Sequence, residues 1–167
     1  SAVTQHGHIK SMRVPEYTPV AWKYLDNKLC TKAGLFEFSI AQVDENGKKI
    51  EGGYTDIAKN DENGKITFKK ISYRSKPVEG SYYYQIRESS LVKPYTYTLD
   101  KRVFTVRVDV QADGNQYLVT SVVTDPKQYD EVRFDNATVT NRDFTVTKKW
   151  NDGFDKNGLR PKAVQVY

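Results

Sequence analysis

The sequence has little cysteine, histidine or methionine, and it has no long apolar run. Of its 167 residues, one is a cysteine, Cys30, so no intrachain disulfide can form. The two histidines, His6 and His8, both lie near the start, and no Ser-His-Asp arrangement of a hydrolase is legible. No run approaches the ~18 consecutive apolar residues of a membrane span, and mean hydropathy is -0.71. We therefore expect neither a hydrolase nor a membrane contact.

The charges are mixed rather than clustered. The net charge of +5 comes from 26 basic and 21 acidic residues. The basic pairs lie in separate segments, whereas a nucleic-acid-binding protein more often gathers them along one groove with aromatics between them. His6-Gly7-His8 offers two metal ligands without a third. The sequence predicts no nucleic-acid partner, no metal and no cofactor.

Aromatic residues are abundant, with twelve tyrosines and seven phenylalanines, and such residues favour strands. Several segments alternate apolar and polar residues, and none keeps helical periodicity over three turns. Asn-Gly pairs in the two D-E-N-G-K segments, 44–48 and 61–65, predict turns. Short strands follow at regular spacing, among them 66–71, 81–88, 102–110, 116–123 and 132–136. This pattern predicts an all-β, immunoglobulin-like β-sandwich of roughly seven to nine strands.

The periodicity also suggests domain bounds. Residues 1–13 show no sustained period, and we interpret them as a flexible leader. The sandwich pattern runs over residues 14–141 and then restarts with Phe144, Val146, Lys148 and Trp150. Two strands and a loop cannot bury a core alone. Residues 142–167 are therefore predicted to be the incomplete beginning of a second domain.

Three predicted strands each carry one polar residue in phase with core residues. In G-x-Y-x-Y-x-I-x-E, Glu88 shares a face with Tyr82, Tyr84 and Ile86. Lys23 shares a face with Ala21 and Leu25, and Asn136 shares one with Val132 and Phe134. An apolar interior tolerates such groups only if they are paired, hydrogen-bonded or neutral.

An amine, a carboxyl and a carboxamide are the ingredients for forming an amide. Burial lowers the pKa of a lysine and leaves a neutral nucleophile. A buried, protonated Glu88 could donate to the carbonyl oxygen of Asn136, polarise it for attack by Lys23, and shuttle the amine proton to departing ammonia. The alternative is a buried Lys–Glu ion pair with Asn136 as a hydrogen-bond partner. The pattern alone leaves both open.

The ordered motifs resemble the pilin isopeptide-linkage domain of Gram-positive FctA-type major pilins and related surface proteins. They are Lys23-x-Leu25 ahead of G-L-F-E-F, the G-x-Y-x-Y-x-I-x-E segment, and the terminal F-D-N, and they cover about residues 14–140. The resemblance implies a self-formed isopeptide bond between Lys23 and Asn136, with Glu88 as its catalyst. Thr138 departs from the family's F-x-N-x-Y pattern, and the flanks of Lys23, which are Trp22 and Tyr24, are bulkier than expected.

The same resemblance implies a function. The chain would be a structural module of a cell-wall-anchored, extracellular surface or pilus protein, stabilised against force and proteolysis. Its partners would be neighbouring domains or subunits of the same protein or pilus. It would not be an enzyme in the usual sense, because the reaction consumes its own side chains once.

The segment V-T-K-K-W-N-D-G after residue 144 is similar to the opening of a Cna B-type domain. That similarity implies that Lys148 is the bond-forming lysine of a second domain whose glutamate and asparagine partners are absent from this sequence.

Two other interpretations concern single residues. A surface adhesin would bind host protein or glycan through its loops, and Tyr73, Tyr95 and Tyr97 are the candidate exposed aromatics. Tyrosines at sandwich edges are, however, commonly packing residues. Cys30 could be a reactive thiol, but in K-L-C-T-K it has no partner motif, and we expect a buried or half-buried free thiol.

Overall fold

The computed structural model describes residues 12–91 and 96–140. These residues form eleven strands and no helix. The strands are β1 Glu16–Tyr17, β2 Val20–Leu25, β3 Lys28–Leu29, β4 Phe36–Val43, β5 Thr55–Lys59, β6 Lys65–Thr67, β7 Ile71–Ser72, β8 Gly80–Leu91, β9 Val103–Asp113, β10 Gln116–Asp125 and β11 Arg133–Asn136. Three of the eleven strands contain only two residues. The other eight agree in number with the roughly seven to nine strands predicted from the sequence.

One layer is an antiparallel sheet of five strands in the order β10-β9-β8-β4-β5. Its strands alternate as the sequence predicted. In β9, Phe104, Val106, Val108 and Val110 are buried, while the residues between them are half-buried. This period-two pattern gives the sheet one face for the core.

The other layer joins the first and last long elements of the fold. Strand β2 pairs with β11 on one side and with β3 and β6 on the other, while β1 pairs with β7 in a separate two-stranded sheet. The β2–β11 pairing is parallel, with Phe134 opposite Lys23 and Asn136 opposite Leu25. The last strand of the described residues therefore lies beside one of the first.

The two layers face each other across an aromatic core. The ring of Phe134 in β11 lies 5.2 Å from that of Phe38 in β4 and 5.1 Å from that of Phe104 in β9, between ring centroids. Contacts of this kind across the layers define a β-sandwich, which confirms the predicted fold class. Within the described ranges, no helix is long and apolar enough to cross a membrane.

The two D-E-N-G-K segments form twin turns, as predicted. In the first, Asp44 Oδ1 accepts hydrogen bonds from the backbone N–H groups of Asn46 and Lys48. In the second, Asp61 Oδ1 accepts the equivalent bonds from Asn63 and Lys65. An aspartate that bonds its own downstream backbone is a common way to close a turn.

Two details of the fold differ from expectation. The predicted strand over residues 66–71 is broken into β6 and β7, which pair with different partners. The break lies at Lys69, whose backbone N–H bonds to Asp56 Oδ2 instead of a strand neighbour. Strand β5 was not predicted, because its inward residues are Asp56 and Ala58 while Ile57 is 63% exposed.

Candidate functional site

The structure brings the three inward-facing polar residues together. Lys23 lies on β2, Asn136 on the neighbouring β11, and Glu88 on β8 of the opposite sheet. Lys23 Nζ lies 3.1 Å from Glu88 Oε1. Asn136 Nδ2 donates to the other carboxylate oxygen, Glu88 Oε2, at 3.0 Å. One carboxylate therefore contacts both the amine and the carboxamide.

The site is buried in the protein core. The side chains of Lys23 and Glu88 are both fully buried, and Asn136 is 5% exposed as a residue. Lys23 Nζ lies 4.2 Å from the centroid of the Phe36 ring, which packs against Tyr97 in a T-shaped contact. Trp22 and Tyr24, the bulky flanks of Lys23, are half-buried, so the register expected for the first strand is correct.

Burial lowers the pKa of the Lys23 ammonium, since desolvation penalises the charged form. The negative charges of Glu88 and Asp100 act in the opposite direction, as does a smaller interaction with Cys30. The net direction is downward, and it increases the fraction of neutral amine at a given pH. A neutral amine is the form that can act as a nucleophile.

The backbone at Lys23 is fixed by an unusually close neighbour. Lys23 N–H donates to the carbonyl of Gly64 at 2.7 Å, and Lys23 C=O accepts from the N–H of Cys30 at 2.9 Å. Gly64 has φ +77°, and a Cβ placed there would lie 2.8 Å from Lys23 O. The second turn therefore requires glycine both for its conformation and for its contact with β2.

Asn136 is held from the other side by the β2–β3 turn. Its carbonyl accepts from the N–H of Asp26 at 3.0 Å. Asp26 in turn accepts from Thr138 through the backbone N–H at 2.8 Å and through the hydroxyl at 2.6 Å. Thr138, the departure from the family pattern, thus has a local role in fixing the strand that carries Asn136.

The carboxamide of Asn136 has an unsatisfied end. Its Oδ1 is the one buried side-chain polar atom in residues 12–91 and 96–140 that has no hydrogen-bond partner. The sequence predicted the opposite orientation, with Glu88 donating to this oxygen. Rotation of the amide by 180° exchanges its oxygen and nitrogen at nearly unchanged shape, and would place Oδ1 where a protonated Glu88 could donate to it.

Sequence analysis missed Asp100, which is 7% exposed. Its backbone N–H donates to Glu88 Oε2 at 3.2 Å, so it touches the site directly. Asp100 lies in an irregular segment before β9, where period-two reasoning has no strand to work on. The D-x-R spacing of Asp100 and Arg102 is the only local signal.

Two of the candidate adhesin residues are not exposed. Tyr73 is 6% and Tyr97 is 7% exposed, so the expectation for these two is wrong. Tyr73 shares its face of the chain with buried Ile71, and its hydroxyl lies 2.7 Å from that of Tyr84. Tyr97 packs on Phe36 at 5.3 Å between ring centroids.

Cys30 is a buried free thiol, as expected. No group of metal-binding side chains occurs in the part of the chain that the structure describes. Tyr95, the two histidines, most of the predicted leader and the predicted second domain with Lys148 lie outside the described residues.

One protein-family model matches the sequence. A model described as the Spy0128-like isopeptide containing domain, FctA, matches residues 20–139. No curated protein matches the sequence.

Among solved structures, the major pilin from Streptococcus pyogenes is 14% identical, with a TM-score of 0.46, over 76% of this chain and 51% of that one. The T-13 major pilin from Streptococcus pyogenes is 17% identical, with a TM-score of 0.45, over 77% of this chain and 54% of that one. The chain thus spans about half the length of these structures.

Proposed function

Because the chain belongs to the family of Spy0128-like isopeptide-containing domains, we propose that it is a structural module of a Gram-positive surface or pilus protein. In this proposal Lys23 and Asn136 join in a self-formed amide bond, and Glu88 catalyses the reaction. The observation that carries it is the Glu88 carboxylate, which contacts Lys23 Nζ through one oxygen and the Asn136 carboxamide through the other. An ion pair that used Asn136 only as a hydrogen-bond partner would not require Asn136 Oδ1 to stay without a partner among the described residues.

In the proposed reaction, the Lys23 amine replaces the nitrogen of the Asn136 carboxamide, which leaves as ammonia. The neutral amine of Lys23 attacks Cγ of Asn136 while protonated Glu88 donates to Oδ1 of the rotated carboxamide. Glu88 then carries a proton from the former amine to the departing nitrogen, the Cγ–Nδ2 bond breaks, ammonia leaves, and the proton on Oδ1 returns to Glu88. The product is a secondary amide between the two side chains, with Glu88 regenerated. Burial in an aromatic core excludes water, which would otherwise compete as a nucleophile.

The position of the bond suits a load-bearing module. It would link the neighbouring strands β2 and β11 and enclose more than a hundred residues in a covalent loop. By analogy with a disulfide, constraining a loop of about 100 residues would stabilise the fold by about 5 kcal/mol in the chain-entropy model. Tension entering before Lys23 and leaving after Asn136 would pass through the bond and bypass the sandwich between them.

The partners and location follow from the same proposal. The module would sit in the extracellular, cell-wall-anchored part of a surface protein, with neighbouring domains or pilus subunits as partners. It would carry out one turnover on itself and none on other substrates.

An intact-mass measurement tests this function. We expect the parent chain to be lighter than its sequence mass by one ammonia molecule, and Glu88→Ala to keep the full mass. Glu37→Ala is a matched control, because Glu37 lies on β4 and is only half-buried, and it should lose ammonia like the parent. A tryptic cross-linked peptide should contain Lys23 and Asn136. A parent chain of full mass would overturn the proposal.

A further inference from the structure

We propose that Asp100 is a positioning residue for amide formation. Its backbone N–H orients the Glu88 carboxylate, and its side chain fixes the strand that carries Asn136. This inference rests on the proposed function above and assigns to that reaction a residue that sequence reasoning did not find.

The contacts of Asp100 connect the two sides of the site. Its backbone N–H donates to Glu88 Oε2 at 3.2 Å, the same oxygen that accepts from Asn136 Nδ2. Its own Oδ2 accepts from the backbone N–H of Asp135 at 2.7 Å. Asp135 directly precedes Asn136 in β11. One residue therefore contacts both the catalyst and the strand of the electrophile.

Arg102 holds the Asp100 carboxylate in place. The backbone N–H and Nε of Arg102 donate to Asp100 Oδ1 at 3.1 and 3.0 Å, and Nη2 forms an ion pair with Oδ2. The guanidinium lies over the rings of Phe104 and Tyr129, at 5.3 and 5.1 Å from their centroids. Its Nη2 also reaches the carbonyl of Arg133 and Asp135 Oδ2 in β11. A planar fork of this kind fixes a carboxylate in direction as well as in distance.

The segment before Asp100 runs along the end of β11 and its continuation. Thr98 N–H donates to Ala137 C=O at 2.9 Å, and Val139 N–H donates to Thr96 C=O at 2.7 Å. The Thr98 hydroxyl accepts from Ala137 N–H at 2.9 Å. Asp100 is the last contact of this series and the one that turns inward to Glu88.

These contacts have a chemical consequence. With Asp100 N–H on Oε2, the Glu88 carboxylate is held with Oε1 toward Lys23 and Oε2 toward Asn136. Without that donor the carboxylate could rotate and lose the geometry that serves both reactants at once. Misplacement of a reacting group is costly in rate even when the group remains present.

The test follows the rate of linking in the full chain. Protein isolated in denaturant, where the unfolded chain does not hold Lys23 near Asn136, is folded by dilution, and the fraction that has lost ammonia is measured over time. We expect Asp100→Asn to fold and to link about tenfold to a hundredfold more slowly than the parent, as the loss of a charge-assisted contact in a reactive geometry predicts.

Asp109→Asn is the matched control. Asp109 also pairs with an arginine two residues away, Arg107 Nε at 3.1 Å, but it lies half-buried on β9, on the face that alternates with the core residues. It should link at the parent rate.

The rate of linking per folded chain, measured against pH, separates positioning from a general loss of stability. Lys23 is faced by Glu88 from β8, by Asp100 from the segment before β9, and by Cys30 from the segment after β3. The Asp100 charge raises the pKa of Lys23. The rate of linking should rise with pH as Lys23 loses its proton and then reach a plateau. Asp100→Asn should therefore shift this rise to lower pH and lower the rate at the plateau. A role confined to stability would lower the fraction of folded chain and leave the rate of linking per folded chain at the parent value.

Each outcome decides the matter. A rate of linking per folded chain in Asp100→Asn that equals the parent rate overturns the positioning role while leaving the proposed function standing. If Asp100→Asn does not fold, Arg102→Lys decides: it keeps the charge but not the fork onto Asp100, and we expect slower linking, whereas a parent-like rate overturns the role. A parent chain that never loses ammonia overturns the proposed function itself.

Discussion

Strand β8 carries two clusters of polar side chains on the same face, and their hydrogen bonds differ. At its start, Tyr82 and Tyr84 pack with Tyr17, Tyr54 and Tyr73 in what we call the tyrosine cluster. At its other end, Glu88 meets Lys23 and Asn136 in what we call the amide cluster. Both clusters place polar atoms inside the same sandwich.

The hydroxyl groups of the tyrosine cluster all have partners. The hydroxyls of Tyr73 and Tyr84 lie 2.7 Å apart, and Tyr17 bonds to Ser121. Tyr54 and Tyr82 each donate to a backbone carbonyl at 2.6 Å. Burial raises the pKa of the Tyr84 phenol to about 12, so the cluster stays neutral.

In contrast, the amide cluster buries an amine and a carboxylate and leaves Asn136 Oδ1 without a partner among the described residues. Buried polar groups whose hydrogen bonds are all formed stabilise one arrangement. A buried acceptor without a hydrogen bond, as at Asn136 Oδ1, lowers the stability of the fold and needs an explanation. The comparison shows that the two clusters differ in their hydrogen bonds: the atom without a partner is the carboxamide oxygen on which the proposed reaction depends.

The largest expected effect comes from removing Glu88. Asn136→Ala cannot link but keeps the Lys23–Glu88 pair, and it should lose about 5 kcal/mol of the free energy of unfolding by analogy with a disulfide that closes a long loop. Glu88→Ala cannot link and also leaves the Lys23 ammonium buried without its partner. Its free energy of unfolding should be lower than that of Asn136→Ala by about 3–5 kcal/mol.

Chemical denaturation with intact-mass control measures this difference. The double variant Lys23→Met/Glu88→Leu removes both charges and should be at least as stable as Asn136→Ala, because buried ion pairs contribute little over apolar residues of similar size. Equal stability of Glu88→Ala and Asn136→Ala would show that the amide cluster carries no uncompensated charge, and the contrast with the tyrosine cluster would fail.

A smaller effect is expected at the tyrosine cluster. Tyr73→Phe removes one hydroxyl and leaves that of Tyr84 without its partner, which should cost about 1–3 kcal/mol. The double variant Tyr73→Phe/Tyr84→Phe removes both and should recover part of that loss. Both variants should still lose ammonia completely. Incomplete linking in either would show that the two ends of the β8 face are coupled and would remove the distinction between the clusters.

Much of this arrangement could be predicted from the sequence. Period-two alternation placed Lys23, Glu88 and Asn136 on inward faces, and the structure buries all three. The motifs gave the family, which the family model confirms. These predictions succeed because every second residue of a strand points to the same face, so a strand with one buried face buries every second side chain.

The remaining features depend on contacts that alternation does not encode. Asp100 lies on irregular backbone, and its role depends on meeting Glu88 and Asp135 from distant parts of the chain. The D-E-N-G-K pattern predicts a turn at Gly64 but not that the turn packs against Lys23 O. The burial of Tyr73 and Tyr97 could not be predicted, because strand composition does not reveal which tyrosines the opposite layer covers.

The smallest effect, and the one that compares both clusters in a single experiment, is the dependence of stability on pH. In unlinked Asn136→Ala, the Lys23 pKa is lowered by burial from its ordinary 10.5. The unfolded state then binds more protons over the window just below 10.5, so the free energy of unfolding rises with pH there. The tyrosine cluster has the opposite sign. Burial raises the Tyr84 pKa from 10.0 to about 12, so its contribution is fully present below pH 10 and is lost as pH rises toward 12.

Stability measured against pH should therefore rise toward about pH 10 and then fall. In the Asn136→Ala background, Lys23→Met/Glu88→Leu should lose the rising limb and keep the falling one, whereas Tyr73→Phe/Tyr84→Phe should weaken only the falling limb. A rising limb that persists without Lys23 would assign it to other groups. In that case burial of the amine would have no measurable influence on the fold, and the amide cluster would be, in this respect, no different from the tyrosines beside it.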